Sequence, residues 1–389
     1  MTETDRIYLD NAATSFPKPV SVYAAVDGYN RDLGVAVGRG AYRQAVEVQQ
    51  VVERCRKRAA DLLGAESPER IIFTFNGTDS LNLAIHGLLE PGDHVVTSSV
   101  EHNSVLRPLR ELESRRQVEV TRVAADETGR IEPADLQTAL RPNTRLVAII
   151  HASNVSGTLQ PIADCGNIAH AAGALFLVDA AQSAGHVPID LWELPIDLLA
   201  CPGHKGLLGS LGTGLLYLRP GIEEQVRSLR QGGTGSQSEL DRQPQTLPDK
   251  YESGNHNAPG LFGLEAALAW LEDRGIASIR EHERQLAARM LDGLSAIRGI
   301  RLPGPVAADD RVGVVSITAE GFEPQILAAV LDESFGIETR AGLHCAPGAH
   351  RCLGTFAAGG TVRFSFGPFT TTGDVDAAVA ATADIMAGQ

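Results

Sequence analysis

Short apolar runs of strand length recur at residues 71–75, 94–98, 118–123, 146–150, 175–179, 196–200 and 214–218, and stretches with helical spacing, such as 80–89, separate most of them. This alternation predicts a mainly parallel sheet with helices on both faces, because a parallel connection must cross over the sheet. Ahead of it, residues 43–63 put Val48, Val51, Val52, Cys55, Ala59, Leu62 and Leu63 on one helical face, and Gly64 follows as a stop. One long amphipathic helix is expected there.

The texture changes after Leu218. Residues 230–260 are rich in Gly, Gln, Ser, Asn and Pro without periodicity, which predicts a long loop with a task of its own. Helices are expected at 261–274, 276–298, 324–335 and 374–386, and strands at 311–318, 337–340 and 361–366. That pattern describes a second, smaller α+β unit. The expected division is a large α/β unit over residues 20–258 and a small unit made of 1–19 and 259–389.

At 389 residues the chain exceeds one ordinary core. Its 43% hydrophobic and 21% charged content is that of a globular protein, and a net charge of −14 without a long basic run argues against nucleic-acid or anionic-membrane binding. No long apolar window appears and the first residues lack a secretory pattern, so a cytoplasmic location is expected. Five cysteines, an odd number, are read as reduced thiols, with Cys55, Cys165 and Cys201 as small buried hydrophobes.

In parallel sheets ligands bind beyond the carboxyl ends of the strands, so the polar residues after each run are the candidates. They are Gly77 and Thr78, then Glu101, His102 and Asn103, then Ser153, Asn154 and Gly157, then Asp179 and Gln182, and last His204 and Lys205. Gly77 and Thr78, opening a helix, offer amide hydrogens and a hydroxyl at the positive end of a dipole. Lys205 stands among glycines between two apolar runs, where burial would favour a neutral, nucleophilic amine. A bare His-Lys-Gly turn by itself reads as a surface lysine; its company decides. An anion site, a histidine, a strand-end aspartate and a lone lysine, in that order, could together serve pyridoxal phosphate.

Seven segments carry a resemblance that runs nearly end to end: YLDNAAT at 8–14, NGTDSLNLA at 76–84, EHNSVLRP at 101–108, SNVSGT at 153–158, VDAAQSAGH at 178–186, GHKGLLG at 203–209 and RAGLHCAP at 340–347. With them the chain resembles the fold-type I pyridoxal-phosphate enzymes of the class V aminotransferase group, and most of all the cysteine desulfurases with a short cysteine loop. The resemblance implies an α/β fold with a mainly parallel seven-stranded sheet and a smaller α+β domain. It implies Lys205 as the Schiff-base lysine, Asp179 as partner of the pyridine nitrogen, His102 as the stacked imidazole and Gln182 as donor to the phenolic oxygen. Gly77, Thr78 and His204 would take the phosphate. Asn154 and Arg363 would hold the substrate carboxylate, with Asn11, Ala12 and Arg340 as further substrate contacts.

Cys345 would then be the nucleophile that takes the sulfur of L-cysteine as a persulfide and leaves alanine. A homodimer is implied, with loop 230–260 reaching the neighbouring active site, and a protein acceptor could collect the sulfur. A selenocysteine lyase, another C–S lyase, an aminotransferase of the same fold or a non-catalytic scaffold are the alternatives. No metal is expected, since the run His344-Cys345-x4-His350-x-Cys352 lacks a standard zinc spacing. Two departures stand out: Pro202, where relatives offer a hydroxyl to the phosphate, and Gly254-Asn255, where they often place Gly-Thr. Proline has neither hydroxyl nor amide hydrogen, whereas Asn255 keeps an amide to donate.

Overall fold

The computed structural model describes residues 6–38 and 40–388. The large sheet has seven strands in the spatial order Ile71–Thr74, Gly214–Leu218, Leu198–Pro202, Leu175–Asp179, Thr144–Ile150, His94–Ser98 and Glu119–Val123. Only Gly214–Leu218 runs against the rest. Every residue of His94–Ser98, Leu198–Pro202 and Gly214–Leu218 is buried, as strands covered on both faces must be. The strand carboxyl ends therefore open on one side, and the loops that leave them share one mouth.

The helix read from the spacing of residues 43–63 is Arg43–Leu63, and Gly64 ends it at φ 66°, a left-handed stop that glycine takes without a Cβ clash. Cys55, Cys165 and Cys201 are buried thiols. Burial pushes the Cys165 and Cys201 thiols up to about 12, so they are inert.

The second sheet is antiparallel, in the order Arg340–Gly342, Thr361–Ser365, Val314–Ala319 and Ile300–Arg301. The N-terminal segment belongs with it: Ile7–Tyr8 pairs in parallel with Ile337–Glu338, and Leu9 sits in the same core as Leu286, Phe364 and Leu331. The helix Ala258–Arg274 differs from the expected division at 258. Its Leu261, Leu264 and Leu268 lie in the large-sheet core with Ala59 and Leu63, because the helix packs on both Val20–Gly28 and Arg43–Leu63. Among the described residues no helix is long and apolar enough to cross a membrane.

Candidate active site

Lys205 sits on the turn between Leu198–Pro202 and Gly214–Leu218. Leu208 N–H donates to the Lys205 carbonyl at 2.8 Å, and Gly209 N–H to that of Gly203 at 2.7 Å. The turn is pressed on the segment after Asp179 so closely that a Cβ on Gly206 would stand 2.3 Å from the Ala184 carbonyl oxygen. Only glycine fits there. Ala180 N–H donates to the Ala200 carbonyl at 2.9 Å, which fixes Asp179 beside the lysine turn.

The Lys205 amine makes no ion pair or hydrogen bond among the described residues, and burial pulls it down to about 8; Asp179 opposes that shift, while Arg363 and Arg340 add to it. Burial also raises Asp179, against the Ala181 N–H that meets its Oδ1 at 2.9 Å and against Lys205. The pair shares a cavity of about 230 Å³. Gly77, Thr78, His102, Asn154, Gln182 and His204 line the same cavity. Eight of the sequence-assigned groups are thus one compartment. The joining residues come from five strand ends, which is why no local window reveals it.

One end of the cavity is the start of helix Gly77–Leu88, capped by the Asn76 side chain, which accepts from Asp79 N–H at 2.9 Å. Pro202 packs directly against this helix start: a Cβ on Gly77 would meet its Cδ at 3.1 Å. The strand runs on to Pro202, two residues past the expected end, because antiparallel pairing with Gly214 continues where the proline has no donor to offer. Burial, then Lys205 and Lys18, hold the His204 imidazole down at about 4, and its Nδ1 lies 3.1 Å from Thr14 Oγ1. Behind the sheet ends Glu101 is buried; its Oε1 accepts from Ser98 Oγ at 2.5 Å and from Ile150 N–H at 3.0 Å, and burial pushes it up to about 8.

The cysteine loop of the small unit is tied to the strand-end loops. His344 and Cys345 both have left-handed backbone, φ 46° and 59°, an uncommon state for residues with a Cβ. Asn154 Nδ2 donates to the His344 carbonyl at 2.5 Å, and Asn103 N–H to that of Cys345 at 2.8 Å. Cys345 is exposed and is held beside His102 and Asn154 by the backbone on either side. Arg363, 2% exposed, pairs with Asp10 at 2.6 Å and donates to the Asn154 carbonyl at 3.0 Å. Other cysteine-loop groups have partners of their own: His350 Nδ1 meets Thr355 Oγ1 at 2.7 Å, and Cys352 Sγ donates to the Asp126 carbonyl at 2.8 Å.

Four sequence-assigned residues are not on the cavity wall. The Asn11 amide is tied to the Ser365 carbonyl at 3.2 Å, and the Ala12 carbonyl accepts from Gln182 Nε2 at 2.9 Å. Arg363 is committed to Asp10 and Asn154, and Arg340 is exposed on its edge strand. Asn255 lines a separate crevice with Arg230 and His256 and does not reach its own chain's cavity. Sequence reasoning missed Ser104 and Asn76, which line the cavity; the signal for Ser104 was a hydroxyl at the opening turn of a helix, next to His102.

The aminotransferase class-V family profile matches residues 7–378. A probable cysteine desulfurase of Methanothermobacter thermautotrophicus is 36% identical over 375 residues, 95% of this chain and 92% of that protein. The apo structure of a cysteine desulfurase from Thermococcus onnurineus superposes with a TM-score of 0.93 at 34% identity, covering 99% of this chain and 96% of the other. A cysteine desulfurase from Escherichia coli superposes with a TM-score of 0.89 at 31% identity, covering 98% and 95%.

Proposed function

Because the chain belongs to the aminotransferase class-V family, we propose that it is a pyridoxal-phosphate-dependent cysteine desulfurase, converting L-cysteine to L-alanine and carrying the sulfur as a persulfide on Cys345. The observation that carries this reading is an amine without a hydrogen-bonded counter-ion, Lys205, beside buried Asp179, with an exposed thiol on the loop tied to Asn103 and Asn154. The residues fit the cofactor. A helix start with Thr78 and His204 suits a phosphate, and Asp179 suits a protonated ring nitrogen. Asn154 Oδ1 is buried with no partner, a polar atom waiting for a ligand group.

When bound, the cofactor supplies an electron sink that acidifies the substrate Cα proton. The Lys205 amine, held mostly neutral by burial above about pH 8, takes and returns that proton. His102 would stack on the ring and Gln182 would donate to its phenolic oxygen, as both line the cavity. By the family resemblance Arg363 and Asn154 would hold the substrate carboxylate, with Arg340, Asn11 and Ala12 near that end; Arg363 would have to exchange its pairing with Asp10 for the carboxylate. The Cys345 thiolate attacks the substrate Sγ: an S–S bond forms, the Cβ–Sγ bond breaks, and Cβ takes a proton to give alanine.

The protein acts as a homodimer in this reading, since Asn255 stands exposed on loop 230–260 away from its own cavity and is free to reach a neighbour's phosphate. A monomeric mass for the loaded protein in sedimentation would refute that arrangement. The location is the cytoplasm, and the persulfide, exposed with Cys345, is open to a protein sulfur acceptor. Loaded protein given L-cysteine and a thiol reductant is expected to release alanine and sulfide in equal amounts; fully loaded protein that makes no alanine would sink the proposal.

The amine also sets a pH dependence. Capture of pyridoxal phosphate by protein stripped of cofactor needs the neutral amine, so its rate is expected to rise about tenfold per pH unit up to about 8 and to level above. Stopped-flow absorbance across pH 6–10 reads it, and a profile still rising steeply past about 10 would mean an unperturbed lysine.

A further inference from the structure

We infer that Ser104 is a positioning residue for His102: its amide and hydroxyl both point at Nδ1 and fix the ring as the Nε2–H tautomer, so that His102 faces the substrate as a hydrogen-bond donor and not as a base. The inference rests on the desulfurase reading only for what the ring then meets.

His102 is the N-cap of helix Asn103–Arg116, and its side chain, not a hydroxyl or carboxyl, does the capping. Ser104 N–H donates to Nδ1 at 3.1 Å. A ring nitrogen that accepts carries no proton, and in a neutral imidazole the proton is then on the other nitrogen. An imidazolium could not cap at all, since both its nitrogens donate.

The serine hydroxyl repeats the constraint. Ser104 Oγ lies 2.9 Å from Nδ1 and 2.8 Å from Thr78 Oγ1. With Nδ1 an acceptor, one direction satisfies all three groups: Thr78 donates to Ser104, and Ser104 donates to His102, which leaves the Thr78 amide and not its hydroxyl to donate to a phosphate. The chain links the helix start that suits a phosphate to the imidazole that would stack on the cofactor. Nε2 makes no hydrogen bond among the described residues, and the ring lines the cavity, so Nε2–H is the group left for a ligand. Burial, then Lys205, Arg340, Arg107 and Arg363, hold the imidazole down at about 4, so the ring stays neutral at working pH. Removal of the Cα proton is therefore left to Lys205, and His102 donates.

The test uses protein stripped of cofactor and labelled with ¹⁵N in its histidine rings, with the His102 signals assigned by their loss in His102→Ala. Wild type at pH 7 is expected to show Nδ1 unprotonated and Nε2 protonated. An Nδ1–H ring or an imidazolium overturns the inference, and neither result needs turnover, so failure here is distinct from failure of the desulfurase reading. Ser104→Ala keeps the amide and loses the hydroxyl; the tautomer ratio is expected to fall about 2–10-fold, the value of one net hydrogen bond. In the loaded enzyme that variant should lose kcat with KM nearly unchanged, and Ser104→Thr, which restores a hydroxyl, should recover both readouts. A Ser104→Ala protein with unchanged tautomer ratio and unchanged kcat overturns the role of the hydroxyl. If Ser104→Ala does not fold, wild type and Ser104→Thr still decide, since a threonine variant with a lost Nε2–H preference contradicts the inference.

Discussion

Lys205→Ala is expected to lower alanine formation from L-cysteine by about 10⁴-fold or more, because one amine both captures the cofactor and moves the substrate proton. The visible absorption of loaded protein should vanish with it, as read by spectroscopy after removal of free cofactor. A variant that retains more than about a tenth of wild-type turnover would remove the lysine from the mechanism. The same substitution should not weaken the stripped protein. Burial holds the folded amine at about 8, below its ordinary value of 10.5, so between those values the unfolded chain binds more protons than the folded one. Stability therefore rises with pH across that window on account of this group. The rise should be absent in Lys205→Ala, as measured by chemical denaturation at several pH values.

Cys345→Ala is expected to capture pyridoxal phosphate like wild type and yet to form alanine at least about 10³-fold more slowly, since no other described group offers a thiolate above the cavity. Cys55, Cys165 and Cys201 are buried, and the Cys352 thiol is turned to the Asp126 carbonyl. Mass spectrometry after a limited turnover should find one added sulfur on Cys345 in wild type and none in the variant. Thermal stability should be unchanged, because the side chain is exposed and alanine bears the same left-handed backbone cost at φ 59°. Wild-type rates of alanine formation in Cys345→Ala would transfer the sulfur chemistry elsewhere and favour a lyase that needs no protein nucleophile.

Most elements were legible before any coordinates. Residues 94–98, 175–179 and 214–218 are strands at the expected bounds, and the helix over 43–63 ends at its glycine. Each is written in a local pattern: a run, a period, a stop. What failed was placement. Helix Ala258–Arg274 has an apolar face that the sequence shows plainly, but nothing local says whether that face meets the large core or the small one.

The sequence by itself determined the alternation of strands and helices, the strand-end positions of Asp179 and Lys205, and the chemical types available, because periodicity, turn chemistry and side-chain identity are local. Only the tertiary structure decided which of these share a compartment. It tied Asn154 to the His344 carbonyl, Arg363 to Asp10, and Ser104 to both Thr78 and His102. These contacts join strand ends and helix starts, several of them far apart in the chain, whose approach follows from sheet order and core packing. No window of sequence contains both partners of the longest of them, and a packed interior fixes them to tenths of an ångström.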